Sequence, residues 1–71
     1  MADFQAIAMR RNLARVERSL ADDHDRTAEL AVEPVQRTFH ERAAESCRAR
    51  AAAYENRAER DEALYAVEAC R

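Results

Sequence analysis

Along the first twenty or so residues the apolar side chains recur at steps of three and four, not two. At about 100° per residue, Ala6, Met9, Leu13, Val16 and Leu20 fall on one helical stripe. Phe4, Ile7, Arg11, Arg15 and Arg18 fall on a second stripe, nearly opposite. This predicts a helix over residues 3–21, begun by Asp3, whose short carboxylate suits both the free N–H groups and the positive end of a helix. The first stripe is expected to enter a core. The second carries two apolar anchors and then a column of guanidinium groups, and a chain of 71 residues has no obvious means of burying both. That mismatch points to a partner.

Asp22, Asp23, His24 and Asp25 interrupt the apolar period and predict a turn over 22–25, since short polar side chains compete with helical hydrogen bonding. A long helix is expected over 26–55, with Ala28, Val32, Val35, Phe39 and Ala43 as its stripe. Pro34 lies within that stripe. Either the helix kinks there and continues, or a new helix starts with Pro34 in its first turn, where the missing donor costs nothing; the unbroken period favours the kink. Residues 55–62 carry no large apolar side chain, so a second break is expected near Asn56. A final helix over 57–70 would present Ala63, Leu64, Val67 and Cys70, with Arg71 suited to its negative end. The predicted class is all-α: a helical hairpin extended to a small two- or three-helix bundle, one domain over 1–71.

Composition sharpens this picture. Half of the high hydrophobic fraction is alanine, and Leu, Ile, Val and Phe together fall below the roughly 20% typical of folded chains. Alanine, arginine and glutamate are strong helix formers, and a glycine-free sequence agrees with long helices. The expectation is a helical protein with a thin core, completed by oligomerisation, a homodimer first of all. All twelve basic residues are arginine and the net charge is −2, so no polyanionic partner is implied in bulk. Cys47 and Cys70 form no Cys-x-x-Cys pair and read as reduced thiols. No apolar run approaches the roughly 18 residues that would span a membrane, and no leader pattern opens the chain. A cytoplasmic protein without membrane partners is expected.

The sequence offers little catalytic chemistry. Four consecutive residues such as Asp22–Asp25 point in different directions and rarely converge on one ion. Glu33, His40, Cys47, Tyr54, Asp61 and Glu68 recur every seven residues. Neighbours in that row stand about 10 Å apart along a helix, too far to share a metal or a proton; the row reads as the mixed flank of a core stripe. A glycine-free chain lacks the usual phosphate-cradling loop. No enzyme, metal or cofactor is predicted. The candidate site is therefore a partner-binding face of Phe4, Ile7, Arg11, Arg15 and Arg18, since apolar anchors with arginines are enriched at interface cores. The function expected is a non-enzymatic interaction module: a small regulator, adaptor or inhibitor docking a helix face on a larger protein, in the manner of a phage or mobile-element accessory factor. Two alternatives are a nucleic-acid-associated regulator using the arginine column, which the net acidity and the lack of an aromatic platform disfavour, and a self-assembling structural subunit.

Overall fold

The computed structural model describes residues 3–70. They form two helices, α1 (Phe4–Leu30) and α2 (Pro34–Ala69), joined by residues 31–33 and packed on each other as a hairpin. The all-α expectation holds, with two helices rather than three. The body is a narrow rod, its Cα atoms spanning 58 × 14 × 12 Å. Arg71 lies outside the described residues.

The helices meet along a seam made almost entirely of alanine. Ile7, Ala14, Ala21 and Ala28 are buried on α1, at a strict spacing of seven. Ala44, Ala51 and Ala58 repeat that spacing on α2, and Cys47 is buried between the first two. Ala21, Ala44 and Cys47 form the contact at mid-seam. A seven-residue period is what two helices need to keep one line of contact between them. Methyl groups let the backbones approach closely; each buries little apolar area but loses no rotamer freedom. The second row of the seam is partly exposed and mostly polar: Arg10, Glu17 and His24 on α1, and His40, Tyr54 and Asp61 on α2. His40, Cys47, Tyr54 and Asp61 of the seven-residue row seen in the sequence are therefore part of the helix–helix contact, whereas Glu33 and Glu68 at its ends are exposed.

This seam reverses the expected roles of the two faces of α1. Met9, Leu13, Val16 and Leu20 are not core residues; they are exposed by 61%, 38%, 55% and 43%. Ile7, placed on the leftover face, is buried. The physical reason is register. The large side chains follow a stripe of their own, whereas the period-seven alanines lie between the two stripes and allow closer packing than leucine would.

The expected element boundaries also shift. Residues 22–25 are helical, not a turn, because Ala21 and Ala28 keep the seam in register across them. The acids there face outward to cations: Asp22 and Asp25 pair with Arg48, and Asp23 with Arg26. The Thr27 hydroxyl donates to the Asp23 carbonyl at 2.9 Å. The chain does not kink at Pro34. It breaks before it, with Ala31 and Glu33 extended and Pro34 opening α2. Proline's clash with the preceding residue drives Glu33 out of the helical region. The apparent stripe across Pro34 was fortuitous, since Val32, Val35 and Phe39 are all exposed. The Arg37 guanidinium closes the turn by donating to the Ala31 carbonyl at 3.2 Å. α2 then runs without a break through 55–62, where Ala58 is fully buried and Glu55, Asp61 and Glu62 receive arginines of α1. At the other end Asp3 caps α1 as expected, its Oδ1 accepting from the Gln5 N–H at 2.9 Å.

Candidate interaction surface

The hairpin has two unlike sides. On one, ion pairs bridge the helices in a row. Arg11 meets Glu62, Arg18 meets Glu55, and Arg48 meets Asp25 and Asp22. The Arg18–Glu55 pair is a two-pronged fork, with Nε donating to Oε1 at 2.9 Å and Nη2 to Oε2 at 2.8 Å. The Arg18 hydrogen bonds hold the Glu55 carboxyl below its ordinary range, and Glu55 raises Arg18 in return. Antiparallel order explains the row, since positions seven apart on α1 meet positions seven apart on α2 in reverse.

This row accounts for most of the residues singled out in the sequence. Ile7 is in the seam, and Arg11 and Arg18 are engaged by α2. Arg15 donates to the Asn12 side chain on its own helix. The Phe4 ring, 59% exposed, leans on Tyr65 with centroids 4.3 Å apart. The structure brings four of the five together along the contact between the helices and turns Arg15 away from it. The arginine column thus has acids within its own chain, drawn from the stretch 55–62 that looked like a break.

Within the seam the polar row is paired across the helices. Arg10 hydrogen-bonds Asp61. Arg50 Nε donates to Glu17 at 3.1 Å, and its Nη2 reaches the Cys47 sulfur at 3.3 Å. The Arg50 hydrogen bond is the main cause of a lowered Glu17 carboxyl, partly opposed by desolvation. His24 and His40 face each other with their Nδ1 atoms 2.9 Å apart, so one ring must donate and the other accept. The four residues Asp22–Asp25 thus point to three different partners. Among the described residues no three His, Cys, Asp or Glu side chains form a group able to hold a metal ion.

The other side is apolar and open. Met9, Leu13, Val16 and Leu20 run along it on α1. α2 adds Leu64, whose recess with Ala6 is otherwise lined by charged side chains, Asp3, Arg10, Arg57, Asp61 and Glu68. Phe39 and Val35 line a second hollow near the loop, beside Arg42 and Ala43. Among the described residues Ile7 is the only large aliphatic or aromatic side chain that is fully buried; the remainder are half-buried or exposed. The sequence carried the signal for this in the strict spacing of its alanines, which the larger side chains concealed.

The architecture is that of an alanine-seamed helical hairpin with a row of ion pairs along one side and, on the other, an exposed apolar stripe of α1 bordered by the Arg10–Asp61 and Arg50–Glu17 pairs. No protein-family model, curated protein or solved structure matches the chain. No described helix is long and apolar enough to cross a membrane.

Proposed function

We propose that this chain is a non-enzymatic protein–protein interaction module, a small adaptor or inhibitor, whose working surface is the open apolar side led by Met9, Leu13, Val16 and Leu20. The observation that carries this reading is the inversion of its apolar residues: small methyls fill the seam while the large side chains stand outside in a continuous line. Contiguous exposed apolar surface on a small soluble fold is characteristic of a site that another protein covers. The stripe is wide enough to receive one amphipathic helix laid along it, by the i, i+3, i+4, i+7 mode of recognition. The original candidate face contributes differently. Arg11 and Arg18 pair with acids of α2 across the hairpin instead of facing a partner. Nucleic-acid binding by the arginine column is not favoured, because Arg11 and Arg18 already face carboxylates of their own chain.

A photo-crosslinking residue at position 16, on the apolar side, should capture a protein in the producing cell. The same residue in place of Glu29, on the ion-paired side, should capture none. Val16→Glu should abolish association while leaving the helical circular dichroism unchanged. Equal capture at both positions, or loss of the helical signal in Val16→Glu, would overturn the reading.

A further inference from the structure

We infer that the occupant of the apolar side is a second copy of this chain, laid antiparallel along α1 so that the Met9–Leu20 stripes of two hairpins interlock; this rests on the docking reading above and names its partner. The first argument is the spacing. Met9, Leu13, Val16 and Leu20 are separated by four, three and four residues, which reads the same from either end. A surface with that symmetry is complementary to its own reverse, as a two-fold interface requires. Met9 of one copy then lies against Leu20 of the other, and Leu13 against Val16.

The second argument is direction. At about 100° per residue, the stripe lies roughly 110° around α1 from the alanine seam. Each helix of a four-helix bundle touches two neighbours across a similar near-right angle. α1 therefore already offers the second contact that a bundle needs. α2 does not, because Arg50, Arg57 and Arg60 interrupt the corresponding line between Ala43 and Leu64.

The third argument is charge. The stripe is edged on the seam side by Arg10 and Glu17 and on the outer side by Asn12 and Ser19. In the antiparallel register Arg10 of one copy comes beside Glu17 of the other, twice over. In a parallel register the Arg10 and Glu17 edge would instead face the uncharged Asn12 and Ser19 edge of the other copy, and this pairing would be lost. Both groups already have partners within the chain, Asp61 and Arg50, so the dimer would extend existing ion pairs rather than strand a charge.

The test combines mass with register. Light scattering of the purified chain should give twice its 8.1 kDa mass at micromolar concentration. Leu13→Glu, or Leu20→Gln should the first variant fail to fold, should give the single-chain mass with helicity retained. In a Cys47→Ala, Cys70→Ser background, Met9→Cys with Leu20→Cys should oxidise to intermolecular links joining position 9 of one copy to position 20 of the other. A single-chain mass throughout, or links joining 9 to 9 and 20 to 20, would overturn the self-pairing. If the natural chain is monomeric but Leu13→Glu abolishes crosslinking to a different protein, docking stands and self-pairing falls. If Leu13→Glu leaves a dimer intact, self-pairing through this stripe falls, and docking is then judged by the crosslinking alone.

Discussion

Ala51 sits at the centre of the seam with none of its surface exposed. Packed protein has no room for an added branched side chain unless the backbones separate. Ala51→Leu is therefore expected to destabilise the hairpin by at least about 1–3 kcal/mol in urea denaturation followed by circular dichroism. Leu13→Ala, although it removes a far larger group than the Ala51 methyl, should cost less than Ala51→Leu when the chain is dilute enough to be monomeric, since Leu13 is 38% exposed. The ordering is opposite to what residue size alone would forecast, and a larger effect from Leu13→Ala would show that the seam is not where the fold is held. The buried alanines were visible in the sequence as a repeat of seven, yet hydrophobic weighting ranks methionine and leucine above them. Close packing favoured the smaller side chain at each of these positions, which is why Met9, Leu13, Val16 and Leu20 were read as core.

At the scale of the helices, the start of α1 was legible because Asp3 combines a capping side chain with the onset of an apolar period. The uninterrupted run through Asp22–Asp25 was not. Local propensity favours a turn there, but the facing alanines and Arg48 act from the other helix, sixteen or more residues distant in sequence. The polar stretch 55–62 was misread for the same reason, since its carboxylates are matched by arginines of α1 that only the antiparallel register brings near. The start of α2 corresponds to the second of the two ways of accommodating Pro34. Glu33 stands at its N-cap without a side-chain hydrogen bond. Glu33→Ser should therefore stabilise the hairpin by about 0.5–1 kcal/mol, with the gain read as a raised melting temperature. Pro34→Ala should be close to neutral, because the proline at this position displaces no helical hydrogen bond. A large gain in helicity from Pro34→Ala would mean that the proline restrains a longer helix.

For the whole molecule, the ion-paired side couples stability to acid. The carboxyls of Glu17 and Glu55 sit below their ordinary value of 4.5 in the folded chain because arginines hydrogen-bond them. A carboxyl lowered by folding contributes stability that is fully present above its unfolded value and is lost as pH falls through the folded one. These two carboxyls should thus add no pH dependence to the melting temperature from neutrality down to about pH 5, and should lower it below that. Glu55 is solvent-accessible whereas Glu17 is largely covered, so the Glu55 share of the loss should be shallow and reduced further by added salt. Glu55→Gln should flatten the acid limb; an unchanged limb would place the acid sensitivity elsewhere. The all-α class and the need for an interface were readable from composition and period. Which face performs which task was not, because that depends on the pairing of two distant segments.

Residues 31–33 make a connection so short that the two helices can meet only by folding back. In many two-helix proteins such a connection can straighten, so that a neighbouring molecule supplies the second helix and two chains become entwined. Straightening here would put Pro34 in the interior of one continuous helix, where its ring strikes the carbonyl of Leu30 at a cost of about 3 kcal/mol or more. The single proline thus guards against exchange of helices between molecules. Its removal, harmless to the folded hairpin, would open a slow route to intertwined dimers at high concentration.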